Sequence, residues 1–264
     1  MDIDASAIEK ASLRAPGCTF FCADARELPF SDGAFDGIIS EAAFSVIDGK
    51  ERAAAQYARV LASKLAHVTG YDVLSFEYRL APEHPYPAAV EDALRAWDHL
   101  MLLGYGARDV VLAGDSAGGN LALVLCHRLK AAGRRLPGAL VLMSPWTDMT
   151  MSGASYAERA ESDPMLTPEY IEAVRTAYAG GRDYASPDLS PLFADLTGFP
   201  PTLIQAGDHE ILYSDAEMLC HALERAGVSC RFEVSEGMWH VFQMFPLRKA
   251  AAAMESVARF LLER

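Results

Sequence analysis

The sequence predicts an α/β fold built on a mostly parallel central sheet flanked by helices. Two observations carry this. From about residue 71, short β-branched or apolar runs alternate with longer amphipathic ones, the pattern of successive βαβ units. The chain of 264 residues, 51% hydrophobic, is also long enough to bury one large core, and α/β architectures of this length commonly form one domain.

The strands expected along that stretch are YDVLSFEY, DVVLAGD, GALVLMS, PTLIQAG and CRFEVSE. Between and after them, AAVEDALRAWDHLMLLG, SAGGNLALVLCHRLKAAG, SDAEMLCHALERAG and LRKAAAAMESVARFLLER have the spacing of amphipathic helices. Gly104, Gly133 and Gly227 fall where helices end, as suits residues that tolerate a left-handed C′ position. Upstream, FDGIIS reads as a buried strand and GKERAAAQYARVLASKLAHVTG as a helix of strong helix formers. Residues 150–198 break the alternation with Pro- and Gly-punctuated pieces and no strand. Such an excursion is expected to form a cap over the sheet's C-terminal edge, where open α/β sheets place ligands.

A formal charge of −13 and a pI near 4.9 oppose binding to phosphate backbones or anionic membranes, so neither nucleic acid nor membrane is expected as a partner. The start, MDIDASAIEK, is acidic and has no apolar core, and no apolar run approaches the length of a membrane span, so a soluble cytoplasmic protein is expected. Five scattered cysteines, Cys18, Cys22, Cys126, Cys220 and Cys230, form no CxxC pair or zinc spacing. They read as free thiols, and no metal site is expected.

The chemistry centres on GDSAGG. The strand DVVLAGD runs directly into a helix, which puts Ser116 on the sharp turn of a G-x-S-x-G nucleophile elbow, with Gly114 and Gly118 allowing close backbone approach. The N–H of Ala117 and the helix dipole face a developing oxyanion there. Of seven histidines, only His240 follows the last expected strand in a loop, SEGMWHVF, as the order nucleophile, acid, base requires. His67, His84, His99, His127 and His221 suit surface or packing roles, and His209 sits beside the candidate acids. After PTLIQAG, the stretch GDHEILYSD offers Asp208, Glu210 and Asp215 as the carboxylate that orients the imidazole, and chemistry alone does not choose among them.

From about residue 67 to the end the chain resembles the bacterial hormone-sensitive-lipase-like esterases of the α/β-hydrolase superfamily. The resemblance rests on YRLAPEHPYPAAVED, GDSAGGNLAL, SPWTD, SDPMLTPEY, ASPDLSPL, GDHEIL and GMWHVF, in that order. It implies an α/β-hydrolase fold and hydrolysis of carboxylic esters through an acyl-enzyme, with no cofactor. In the family register the acid precedes a Val/Ile-Leu pair, so the resemblance selects Glu210 before Ile211-Leu212, with Asp208 as the alternative. Asp215 is then expected to cap the following helix.

Two family features are missing. There is no His-Gly-Gly-Gly stretch, whose backbone N–H groups would form most of an oxyanion hole, and the N-terminal cap helices are unrecognisable, so a reduced cap is expected. In their place, about residues 19–62 resemble the middle of a class I S-adenosylmethionine-dependent methyltransferase, in CADARELPFSDGAFDGIISEAAFSVIDGKERAAAQYARVL. The Gly-rich loop for that cofactor is absent from the first 18 residues, so methyl transfer is not expected.

The chain therefore reads as a chimera, with an atypical segment 1–66 integrated into the sheet of an α/β-hydrolase core 67–264. The strand, loop and helix order of the borrowed piece matches the one it replaces. In that register Glu41-Ala42-Ala43-Phe44 takes the place of the glycine loop, with Ala42 and Ala43 as oxyanion donors beside Ala117. The expected function is a serine carboxylesterase for small, short-acyl esters, with Ser116, His240 and Glu210 as the triad. The rival is a catalytically impaired relative that acts as a binding protein. Apolar surface left by the missing cap makes a homo-oligomer one way of covering it.

Overall fold

The structure, a computed structural model, describes residues 61–263. Helix α1 covers 61–69 of these residues. It is followed by α2 (Ala88–Leu102), β1 (Val111–Asp115), α3 (Ala117–Ala131) and β2 (Ala139–Met143). The short α4 (Ser155–Glu158) and α5 (Pro168–Ala179) come next, then β3 (Thr202–Gly207), α6 (Tyr213–Arg225), β4 (Cys230–Ser235) and α7 (Arg248–Leu262). Every pairing among the described strands is parallel, in the order β1-β2-β3-β4, with Gly114 opposite Leu142 and Leu142 opposite Ile204.

The centre of the sheet is buried on both faces, which explains why GALVLMS and PTLIQAG read as continuous apolar runs rather than alternating ones. Alternate residues still divide between two layers. Leu140, Leu142, Ile204 and Ala206 pack under α3 and α6 through Leu123, Cys126, Leu219 and Leu223. Ala139, Val141, Met143 and Leu203 face the opposite way, against Met254, Val257 and Phe260 of α7 and Leu61 and Leu65 of α1. The side chains from Ala139 to Met143 are wholly inaccessible, so this pair of strands is the rigid platform for the loops at its C-terminal edge.

The expected excursion is present: 150–198 holds α4, α5 and a 3₁₀ turn at Pro191–Phe193, and no strand. Thr167 caps α5 by accepting the Tyr170 N–H at 3.2 Å, with Pro168 in the first turn where its missing donor costs nothing. Asn120 of α3 ties the excursion down, donating to the Trp146 and Leu189 carbonyls at 2.9 and 2.8 Å. Gly104, Gly133 and Gly227 all take positive φ at helix ends, as expected.

One expected strand is not formed among the described residues. YDVLSFEY (71–78) has no ladder among the described residues, and Tyr71, Val73, Leu74 and Phe76 are exposed at 38–48%. β-branched and aromatic composition favours a pleated surface only where a neighbouring strand supplies hydrogen bonds, and none of the described strands lies alongside it. The motif that follows it has a structural task. Arg79 grips Asp92 of α2 through Nε and Nη2 at 2.9 and 3.0 Å, and Glu91 at 2.9 Å. FDGIIS, the Ala42/Ala43 loop and most of the 1–66 segment lie outside the described residues.

Candidate active site

Ser116 stands between the last residue of β1 and the first of α3, at φ 51° and ψ −119°. A non-glycine residue held at positive φ carries local strain, which persists only where the surroundings over-determine it. Here they do. The Ser116 N–H donates to Met143 O at 2.9 Å, and its carbonyl accepts from Asn120 and Trp146 N–H at 3.2 and 3.1 Å. The turn also needs glycines, though not the expected pair. A Cβ on Gly114 would overlap the Gly118 carbonyl, and one on Gly119 would meet Pro145 Cβ at 2.9 Å. A Cβ on Gly118 itself would find only Asp115 Oδ1, at 3.9 Å. Close approach is therefore a requirement of Gly114 and Gly119, while Gly118 contributes backbone. Ala117 is exposed at the start of α3, so its N–H is one of the four that a helix leaves without an internal acceptor.

His240 is the one buried histidine of the seven, 4% exposed. Its Nδ1 lies 3.2 Å from Glu210 Oε2, and Glu210 is fully buried with Oε1 accepting the Gly207 N–H at 3.2 Å. A buried carboxylate at that nitrogen fixes the ring's orientation and leaves Nε2 for the reacting groups. Asp208 is engaged elsewhere: its Oδ1 accepts the Gly237 N–H at 2.6 Å, bracing the turn before the histidine. The parallel sheet brings the His240 loop, after β4, to the same edge as Ser116, after β1. The side chain of Asp115, next to Ser116, feels the His240 charge, which lowers its pKa against the larger upward push of burial.

Four ties set the His240 loop. A Cβ on Gly207 would overlap the Met238 carbonyl, so glycine at the end of β3 lets that loop close over it. The His209 N–H donates to the same carbonyl at 2.9 Å. Val241 follows at φ 49°, an unusual conformation for a β-branched residue, and its N–H donates to Ser144 Oγ at 2.9 Å. Ser144 itself sits at φ 48° at the end of β2. Past the histidine, the Lys64 ammonium of α1 reaches the carbonyls of Gln243, Met244 and Phe245.

The excursion is locked to the Glu210 loop. Asp163 accepts the Ile211 N–H at 2.9 Å through Oδ2 and the Met165 N–H at 2.8 Å through Oδ1. Ser155 Oγ donates to Ile211 O at 2.5 Å, and Ser155 and Ser214 exchange N–H···Oγ bonds at 3.0 Å. Ser144, Asp163 and Lys64 escaped the sequence reading because each acts across a long separation, although Asp163 lies within the quoted SDPMLTPEY.

Asp215 does not cap α6, as had been expected. The N-cap position is Leu212, which makes no side-chain cap bond. The Asp215 carboxylate turns inward instead, where Oδ1 accepts the Thr147 and Asp148 N–H groups at 2.8 and 2.9 Å, holding the SPWTD turn. Full burial, with the Asp148 charge nearby, pushes its pKa up to about 7 against those two hydrogen bonds. Among the described residues no cluster of His, Cys, Asp and Glu could hold a metal ion, and no helix is long and apolar enough to cross a membrane.

Comparison with known proteins agrees with this architecture. Residues 52–244 match the family described as alpha/beta hydrolase fold, and residues 1–65 match one described as methyltransferase domain. The chain is 38% identical over 205 residues to an esterase of Acinetobacter venetianus, covering 76% of this chain and 68% of that one. It is 40% identical over 205 residues to an acetyl-hydrolase of Streptomyces hygroscopicus, covering 77% and 69%. The crystal structure of an esterase from the bacterial hormone-sensitive lipase family aligns with a TM-score of 0.77 at 39% identity, covering 83% of this chain and 73% of that one. The chain belongs to the α/β-hydrolase fold family and is a carboxylic ester hydrolase of the hormone-sensitive-lipase-like group, with a methyltransferase-like stretch at its N-terminus.

Proposed function

We propose that the protein is a serine esterase that cleaves short-chain acyl esters through an acyl-enzyme. The observation that carries this reading is the buried pair of His240 and Glu210, 3.2 Å apart, at the same sheet edge as a strained Ser116. Ser116 Oγ attacks the ester carbonyl carbon while His240 takes its proton. The tetrahedral oxyanion collapses, the C–O bond to the alcohol breaks, and His240 returns the proton to the departing oxygen. Water then repeats the sequence on the acyl-enzyme and releases the acid and Ser116. Glu210 holds the imidazole and stabilises its cation throughout.

The Ala117 N–H serves the oxyanion, and the Ala42 and Ala43 N–H groups are assigned as its companions. Their assignment comes from the strand, loop and helix register of the sequence, since both lie outside the described residues. Alanine donates as glycine does but has less access to positive φ. The names of the relatives, an esterase and an acetyl-hydrolase, support a small-molecule ester as substrate.

Hydrolysis of p-nitrophenyl esters from acetate to decanoate, with Ser116→Ala as control, tests the reading. Activity that is greatest on the short esters and lost in Ser116→Ala is the expected result. A folded protein with no activity would overturn it and favour a binding role. Activity that survives in Ser116→Ala would remove Ser116 as nucleophile.

A further inference from the structure

The histidine loop is held from one side by a residue that no catalytic motif contains. Lys64 lies on α1, within residues 52–65 that both family matches share. Its ammonium is 3.2 Å from Gln243 O, 3.2 Å from Met244 O and 3.3 Å from Phe245 O. Those carbonyls end the 3₁₀ turn Phe242–Met244, which begins two residues after His240. The last carbonyls of such a turn have no partner within it and carry partial negative charge, so one cation placed across three of them fixes where the turn stops.

Both ends of this tie are rigid. Leu61, Leu65 and Val68 of α1 pack in the layer formed by β2, β3 and α7, so the lysine stem starts from a fixed helix. At the other end Val241, Phe242, Gln243 and Met244 are at most 1% exposed, so the turn cannot move without moving its packing. Ser144 holds the same loop at Val241 from the strand side. His240 is therefore bracketed by Ser144 near its own backbone and by Lys64 beyond it. Losing the tie at the far end would let the turn shift together with its packing, and a displacement on the order of 1 Å can cost about 100-fold in rate.

We propose that Lys64 is a positioning residue for His240: by capping the 243–245 carbonyls it sets the imidazole against Ser116, and so makes catalysis depend on the helix that joins the N-terminal segment to the sheet. This rests on the reading of His240 as the base. Its consequence is that the N-terminal segment bears on the catalytic end through the helix that both family matches share, besides any oxyanion donors it supplies.

The test compares Lys64→Met, Lys64→Gln and Lys64→Arg with the parent protein on p-nitrophenyl butyrate. Rates are normalised to active sites titrated with a p-nitrophenyl phosphonate, so unfolded molecules are not counted. Lys64→Met is expected to lower kcat about 10- to 100-fold with KM changed less than about twofold, and Lys64→Arg to restore most of the loss. Lys64→Gln keeps a donor without the charge and should fall between them, and it carries the test if Lys64→Met does not fold. An unchanged kcat per site in Met and Gln variants, whatever happens to Tm, would overturn the proposal. So would Lys64→Arg regaining Tm but not kcat. His240→Ala in the same assay separates the two levels: if it keeps activity, the base assignment fails. If it is inactive while the Lys64 variants are normal, only the positioning role falls.

Discussion

The Ser116 turn and the His240 loop stand at the same edge of the sheet but are built on different principles. The Ser116 turn draws mostly on nearby chain: the Gly114–Gly118 approach and the start of α3 fall within five residues, and the Gly119–Pro145 contact spans 26. The His240 loop draws on ties that reach farther: Glu210 at 30 residues, Ser144 at 97 and Lys64 at about 180 from the carbonyls it holds. The difference teaches that a local turn is specified by sterics, which a short motif records. A distant loop is specified by individual polar ties, which depend on the whole fold being assembled.

The largest effect should come from breaking the distant side at its charge. Glu210→Gln keeps the shape but replaces the carboxylate on Nδ1, and kcat is expected to fall roughly 10³- to 10⁴-fold. Asp208→Asn retains an acceptor for the Gly237 N–H and should cost less than about tenfold. Steady-state kinetics on one short ester would check the pair. Equal losses would mean that the two carboxylates share the role, contrary to the geometry.

The local side is best broken by volume. Gly114→Ala drives a methyl group into the Gly118 carbonyl, a backbone atom that cannot step aside, and a loss of about 3 kcal/mol or more of stability is expected. Gly118→Ala meets nothing closer than 3.9 Å and should be neutral or stabilise by up to about 1 kcal/mol through helix propensity. Urea titration of both variants would sharpen the contrast, and a destabilised Gly118→Ala would restore the original expectation for that glycine.

The comparison also explains what could be read from the sequence. The βαβ alternation and the strand-to-helix turn at Ser116 were legible because each is a local pattern, and the pairing of Glu210 with His240 followed from linear order. Periodicity placed β1 to β4 and the helices α2, α3, α6 and α7 correctly. YDVLSFEY misled because strand composition does not supply a partner: among the described residues it has no ladder, and Tyr71, Val73, Leu74 and Phe76 are exposed. The Gly118 assignment took the motif's spacing for its contact, which passes to Gly119. Asp215 misled because aspartate at a helix start suits a cap, whereas its carboxylate meets two N–H groups brought in from 67 and 68 residues away.

Smaller again is the single tie that Ser144 makes. Ser144→Ala leaves the buried Val241 N–H without its acceptor, which should cost about 1–3 kcal/mol. Thermal unfolding would register this as a Tm lowered on the order of 2–10 °C. Because the loop is also held by Glu210 and Lys64, kcat should fall less than in Glu210→Gln. A loss as large as that variant's would mean that the positive-φ Val241, rather than the carboxylate, is what aims the ring.

The last expected effect concerns Asp215, which ties α6 to the SPWTD turn. Its folded pKa of about 7 lies above the ordinary 3.8, so the folded state binds a proton that the unfolded state releases between those values. More protons on the folded side means that stability falls as pH rises through that window, and is flat below and above it with respect to this group. Asp215→Asn cannot titrate, and its amide oxygen still accepts from Thr147 and Asp148 N–H. The difference in Tm between parent and variant should therefore drift in the variant's favour from about pH 4 to about pH 7, by on the order of 10 °C. The difference cancels the contributions of the other carboxylates. A flat difference across the window would mean that Asp215 stays ionised in the folded protein. Its two N–H partners would then outweigh the burial and the nearby Asp148 charge that push its pKa up.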